Sequence, residues 1–299
     1  MCKKISYIIL ACFIAAGAMA SGAGSSAGDF LNISTGARAA GMGDAAVSGS
    51  TGAEAIYWNP AGIAGARGEA LFSHTIWAAD TSLETAGQVF QLSKGSSAGI
   101  LVNYFLSGDI NKVDNTGLKV GTYSNSDMSV AFCYALDLAN GFPLGVSLKY
   151  IGSTIDGTAS TAFAADLGVR YSLGNSLVLG AAVQNLGLQL KYNSLSENLP
   201  VNVMAGLLFK AGKSLSVEGD INIPSGGSLG YSAGAEYAVS LGGSTSAALR
   251  AGYKSAGTGS LSGLSAGAGI GFGGIYVDYA LIMFGDLGNN HRVSLKVNI

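Results

Sequence analysis

The sequence predicts an all-β fold: a transmembrane antiparallel β-barrel of about 14 strands with an N-terminal hatch or plug segment. Three observations predict it. Charged residues make up only 11% of the chain while 48% is hydrophobic, and an average soluble domain carries roughly 25% charge, so an ordinary water-facing surface is excluded. After residue 20, no stretch approaches the roughly 18 to 20 consecutive apolar residues that a membrane-spanning helix needs. Segments of about ten residues with alternating hydrophobicity, separated by turn residues, recur to the C-terminus, and a closed barrel is the other structure that satisfies every backbone group in lipid. The same composition excludes disorder. With 16 Lys and Arg against 18 Asp and Glu and no basic run longer than two, it also excludes a nucleic-acid footprint.

Residues 1–20 read as a signal peptide. Met1-Cys2-Lys3-Lys4 is a short basic region, Ile5 to Ala16 is apolar, and Ala18-Met19-Ala20 offers the small residues a signal peptidase reads. Cleavage after Ala20 removes Lys3 and Lys4, leaving 14 basic residues against 18 acidic ones, a net charge of −4. A rival reading takes Ile9-Leu10-Ala11-Cys12 as a lipobox, but its apolar run before Cys12 is short and continues beyond it. Cleavage at Ala20 leaves Cys133 as the only cysteine, so export without an intramolecular disulfide points to a bacterial envelope.

Residues 21–68 form the next unit. The part from 28 onward is rich in Ala and Gly with little period-two alternation, and Tyr57 and Trp58 supply bulk. A segment of this kind can fold into a barrel and plug it, or lie as an extension on its periplasmic face. Residues 69–299 then carry the barrel. The expected strands are 69–76, 85–92, 97–106, 127–137, 143–155, 161–172, 177–185, 200–210, 214–223, 229–238, 244–253, 263–272, 275–282 and 291–299. The last shows the pattern most plainly: Arg292, Ser294, Lys296 and Asn298 alternate with Val293, Leu295, Val297 and Ile299. Even-numbered connections are tight and several odd-numbered ones, such as 107–126 and 186–199, are longer. That asymmetry places both termini on the periplasmic side. Tyr171 and Tyr237 then fall near one membrane interface and Phe105, Tyr150 and Tyr253 near the other.

The inward faces carry Lys149, Asp166, Arg170, Lys210, Glu218, Asp220, Glu236, Arg250, Asp278, Arg292 and Lys296. A single-sign lining would suit an ion-selective pore, whereas this mixture suits opposite charges that brace a narrow lumen across neighbouring strands.

The run Gly36-Ala37-Arg38-Ala39-Ala40-Gly41-Met42-Gly43-Asp44-Ala45, followed by Ile56-Tyr57-Trp58-Asn59-Pro60-Ala61-Gly62-Ile63, resembles the N-terminal signature of the PorV/PorQ family of bacterial outer-membrane proteins. Asn198-Leu199-Pro200-Val201 resembles an internal landmark of that family. Val277-Asp278-Tyr279-Ala280, Gly285-Asp286-Leu287-Gly288 and His291-Arg292-Val293-Ser294-Leu295 resemble its closing hairpin. The chain ends in Ile299, where many outer-membrane barrels present Phe to the barrel-assembly machinery. The family is similar to the FadL type of transporter, in which a hatch bearing Asn-Pro-Ala sits inside a fourteen-stranded barrel. The resemblance implies that 28–68 is the hatch and that Trp58, Asn59, Pro60, Ala61 and Gly62 are its motif. It also implies partners: outer-membrane lipid, and either a hydrophobic small molecule taken up through the barrel or a cargo protein exported by type IX secretion.

Enzyme-like signals are weak. Gly269-Ile270-Gly271-Phe272-Gly273-Gly274 fits a dinucleotide fingerprint, but Ile275-Tyr276-Val277-Asp278-Tyr279 after it reads as a strand. Gly36 to Gly43 lacks the Lys-Ser/Thr of a phosphate loop. His74 and His291 fall on the first and last strands, which closure makes neighbours, yet no nucleophile motif accompanies them. No catalysis, cofactor or metal is expected, with a barrel hydrolase as the remote alternative. Intact-mass measurement of the protein from outer membranes is expected to show a mature chain beginning at Ser21; an acylated Cys12 would establish the lipobox reading instead.

Overall fold

A computed structural model describes residues 27–299 apart from 79, 139–140, 193–194, 256–262 and 286–287. The signal peptide, its cleavage site and the lipobox alternative lie outside the described residues.

The strands in chain order are β1 (Glu69–Ile76), β2 (Ser82–Gln91), β3 (Ser96–Leu106), β4 (Ile110–Val113), β5 (Lys119–Tyr123), β6 (Asn125–Asp137), β7 (Pro143–Ile155), β8 (Thr158–Leu173) and β9 (Leu177–Gly187). They continue as β10 (Leu190–Tyr192), β11 (Leu195–Glu197), β12 (Asn202–Ala211), β13 (Leu215–Pro224), β14 (Gly230–Gly242), β15 (Thr245–Lys254), β16 (Leu264–Phe272), β17 (Ile275–Met283) and β18 (Asn289–Asn298). Fourteen of them close an antiparallel barrel in the order β1-β18-β17-β16-β15-β14-β13-β12-β9-β8-β7-β6-β3-β2, with β1 and β2 paired. The seam pairs Glu69 with Asn298 and Ile76 with His291. Closure leaves no edge strand, so every wall strand pairs with a neighbour on both sides, the condition for residing in hydrocarbon. The remaining four strands make two small hairpins, β4 with β5 and β10 with β11, inside the connections that were expected to be loops.

Side-chain alternation sorts the wall. On β8, Phe163 and Leu167 point outward and are more than half exposed, while Ala162, Ala164 and Asp166 point inward and are buried. The outer face carries Phe72, Phe132, Leu148, Leu249 and Ile270, all at least half exposed. In water such a continuous apolar surface would drive association; in lipid it is the matching surface. Phe142 with Tyr171 and Tyr231 with Tyr253 form ring pairs near opposite ends of the wall.

The connections at 92–95, 174–176, 212–214, 243–244 and 273–274 are tight and lie at the end that also holds the start of β1 and the finish of β18. Gly273 and Gly274 both have positive φ, as a two-residue hairpin turn requires, so the glycine-rich motif there is a turn. The other end, called the loop end here, carries 107–124 and 188–201, although its Asp156-Gly157 turn is as tight as any at the opposite end.

One measurement follows from closure. The folded barrel should migrate faster than the boiled protein on a detergent gel, because a closed hydrogen-bonded cylinder resists detergent until heated. Identical migration with and without boiling would contradict the architecture.

Candidate functional site

Residues 27–68 run through the barrel interior from the loop end to the opposite end. Ala27 N–H donates to Asn198 O at the loop end, whereas Ser97 Oγ donates to Ala66 O at the other. The segment holds only short elements: 3-10 turns at Asp29–Asn32, Gly52–Glu54 and Pro60–Ile63, α1 (Ala37–Gly41) and α2 (Ala55–Trp58). Nearly all of it is buried, and its Ala and Gly content makes it slim enough to lie inside the wall. Tyr57 and Trp58, edge-to-face at 5.0 Å, fill the middle. Tyr57 OH donates to Leu31 O and Trp58 Nε1 to Thr35 O.

A buried irregular segment has backbone N–H groups that no ladder satisfies. Here wall side chains accept from them. Asp220 Oδ2 accepts from Ala46 N at 2.6 Å and Val47 N at 2.9 Å, and Glu218 Oε1 accepts from Ser48 N at 2.8 Å and Gly49 N at 2.7 Å. Glu69 Oε1 takes the Ala53 N–H, Ser294 Oγ the Ala37 N–H, and Ser265 Oγ the Gly43 N–H. A buried amide left without an acceptor costs about 1–3 kcal/mol, so β13 alone grips the plug through two carboxyl side chains that satisfy four amides.

The Asn59-Pro60 turn docks on β7 and β8. Asn59 is extended at φ −159°, the region a residue before proline prefers, and Pro60 opens the 3-10 turn at its first position. The fully buried Asn59 amide donates to Val47 O within the plug at 2.9 Å and to Val169 O in the wall at 3.0 Å, while its Oδ1 accepts from Ala61 N. Gly62 N donates back to Asn59 O at 2.8 Å. The wall makes room with two glycines: a Cβ on Gly145 would lie 2.2 Å from the Pro60 carbonyl carbon, and one on Gly168 2.1 Å from Asn59 Oδ1. Gln184 completes the contact by donating its amide to Tyr57 O.

The inward charges divide into two groups. Lys149 Nζ pairs with Asp166 Oδ2 at 2.7 Å, and both bind Asn185, a left-handed residue (φ 59°) beside the register shift between β8 and β9. Asn185 in turn donates to Pro200 O, so the Asn198-Leu199-Pro200-Val201 landmark is tied to the wall, and Leu199 packs with Phe30 and Leu31 of the plug. Arg250 bonds Glu236 and Asp278, each at 2.6 Å, and Glu236 also receives a two-pronged contact from Arg38 of α1 at 3.0 Å. The second group serves the plug: Glu218 and Asp220 as above, Arg170 donating to Ser50 O, and Arg292 donating to Ser34 Oγ and Gly36 O. Lys296 lies 3.8 Å from Glu69 and 5.1 Å over the Tyr276 ring, and Lys210 is exposed near the end of β12. The plug partners Arg38, Glu54 and Asp44, and the wall residues Glu69, Gln184 and Ser294, were not among the expected site residues. The inward parity of Glu69 and Ser294 on their strands is the one signal that marks them.

His74 and His291 face outward near the loop end, bonded to Glu84 at 2.6 Å and to Tyr279 OH at 2.7 Å. They do not enter the lumen. Among the described residues no His, Cys, Asp and Glu cluster could hold a metal ion.

Above the plug, at the loop end, lies a cavity of about 220 Å³. It is lined by Trp77 and Phe284, in edge-to-face contact at 4.9 Å, and Ile282, together with the polar residues Ser34, Asp44, Lys254 and Arg292. Burial would raise the Asp44 pKa, but Lys254 at 2.8 Å, Arg292 and the Ser34 hydroxyl hold it below the usual carboxylate range. The Asp44 tether between plug and β15 is therefore present at neutral pH and lost as pH falls through that lowered value. Glu54, also buried in the plug, accepts from Ala39 N at 3.2 Å.

A closed fourteen-stranded barrel whose interior is filled by its own N-terminal segment, with an apolar-walled cavity over the plug, defines a plugged outer-membrane barrel. The family model for PorV, type IX secretion system protein PorV, matches residues 19–212, and the chain belongs to that family. Solved structures extend the likeness in fold. The toluene transporter TodX of Pseudomonas putida is 11% identical with a TM-score of 0.63, covering 88% of this chain and 97% of that one. The toluene transporter TbuX of Ralstonia pickettii is 11% identical at 0.61, covering 89% and 98%. A FadL homologue of Pseudomonas aeruginosa is 10% identical at 0.62, covering 88% and 98%. A comparison with curated protein sequences gives no match.

Replacing Glu218 and Asp220 by Ala together should free the plug without unfolding the wall, since each leaves two buried amides unpaired at a cost of about 1–3 kcal/mol apiece. Limited proteolysis in detergent should then cut within 27–68, while heat-modifiable migration persists. A Gly145→Val variant should do the same by forcing Pro60 off β7, and an uncut plug in both variants would contradict the docking described.

Proposed function

We propose that this barrel passes hydrophobic small molecules across the outer membrane, with residues 28–68 as a hatch that rearranges to admit them. The cavity carries this reading: an aromatic-walled recess opens at the loop end directly onto the plug, so a captured molecule touches the element that blocks its path. The toluene transporters and the FadL homologue that share the fold support it. Trp58, Asn59, Pro60, Ala61 and Gly62 would set the hatch, because Asn59 joins plug to wall through two carbonyls and Pro60 fixes the turn between them. The termini and tight turns would face the periplasm, following export by a signal peptide cleaved after Ala20 and insertion by the barrel-assembly machinery. A second reading, that the barrel receives or shuttles exported cargo proteins, is favoured by the family to which the chain belongs.

The intact protein should show small conductance in planar bilayers, because plug and bracing pairs fill the lumen. Deleting 28–68 should raise conductance and sensitivity of cells to large antibiotics, and unchanged values for a folded deletion would defeat the hatch assignment. Asn59→Ala with Pro60→Ala should lower the rate of toluene uptake several-fold with the barrel still folded. Normal toluene uptake together with a loss of secreted proteins from the medium would select the secretion reading.

A further inference from the structure

The cavity over the plug has a charge balance that a neutral hydrocarbon does not match. Its lining includes two cations, Arg292 and Lys254, and one carboxylate, Asp44. Asp44 is already engaged, its Oδ1 by Ser34 Oγ at 2.7 Å and its Oδ2 by Lys254 Nζ at 2.8 Å. Arg292 is 1% exposed, the largest fully buried side chain among the described residues, yet no carboxylate of those residues lies within 4.0 Å of it. Its Nη1 serves the plug through Ser34 Oγ and Gly36 O, while its Nε has no hydrogen-bond partner. A buried guanidinium with an unpartnered N–H costs free energy that an incoming anion can recover. Lys254 is half exposed and, with three donors of which Asp44 takes one, also has capacity to spare. Trp77, Phe284 and Ile282 line the same cavity.

Resting on the small-molecule reading above, we infer that the cavity recognises a small amphipathic organic anion, a single ring bearing a carboxylate, with Arg292 and Lys254 binding the carboxylate and Trp77 and Phe284 binding the ring. The volume sets the size. At about 220 Å³ the cavity is smaller than the roughly 300–1,000 Å³ of sites for drug-sized ligands, so it takes one ring and not a long chain. Because Arg292 also holds Ser34 and Gly36, the anion would bind beside the contacts that seat the plug.

The test is calorimetric titration of the full-length protein in detergent micelles with benzoate and, as the uncharged ring, toluene. Benzoate should bind at least about tenfold more tightly than toluene, as one charge-assisted contact implies. Lys254→Gln should weaken benzoate about tenfold and leave toluene unchanged. Asp44→Asn should strengthen benzoate, a gain that mere loosening of the plug would not produce. Arg292→Gln should abolish benzoate binding if the variant keeps its heat-modifiable migration, and Lys254→Gln and Asp44→Asn decide the matter if it does not. Equal binding of benzoate and toluene, or benzoate binding unmoved by both Lys254→Gln and Asp44→Asn, overturns the inference and leaves the passage reading standing. Absence of binding by either probe also overturns it, and toluene uptake by cells then judges the passage reading separately.

Discussion

A polypeptide segment enclosed by a barrel must find partners for backbone groups that neither the wall ladder nor bulk water reaches, and the rest of this structure is arranged around that requirement. The cost of leaving one such group unpaired, about 1–3 kcal/mol, is large against the net stability of a domain. The wall answers with acceptors placed at the right height: Asp220 and Glu218 on β13, Glu69 on β1, and the hydroxyls of Ser265 and Ser294. Cations answer the carbonyls, with Arg170 on Ser50 O and Arg292 on Gly36 O. The lumen charges thus serve as much to solvate the plug as to brace the wall.

Much of the wall was legible in the sequence because lipid leaves so little freedom. Alternation on one face must be apolar over the full hydrocarbon thickness, so β6, β13 and β18 stand out by period alone, and turn residues bound them. The ends were less legible: β8 starts at Thr158 and β14 runs to Gly242, beyond the expected 161 and 238, because strand pairing persists past the membrane where composition no longer signals it. The hairpins β4–β5 and β10–β11 are short and largely exposed, with too few residues to show a period.

For the lumen, inward parity was readable and partnership was not. Lys149 and Asp166, or Glu236 and Arg250, sit on consecutive strands, so their contact follows from adjacency. Glu218 and Asp220 bond main-chain amides of Ala46 to Gly49, and a backbone amide leaves no mark in a sequence. Bulk at Tyr57 and Trp58 suggested a plug, but the recesses that receive it, at Gly145 and Gly168, look in the sequence like ordinary strand glycines. Their meaning appears only where a Cβ would strike Pro60 or Asn59. The mismatch between Arg292 and its surroundings was equally hidden, since its nearest partners come from a segment more than 250 positions away.

The seam between β1 and β18 joins the first and last strands of the wall, the pairing with the greatest loop to close and therefore the latest to be rewarded during assembly. The plug reaches both sides of that seam, with Ala53 held by Glu69 of β1, and Ala37 and Gly36 held by Ser294 and Arg292 of β18. These contacts tie the two margins to one another, so the segment that obstructs the lumen also acts as a clasp across the seam where the cylinder is shut.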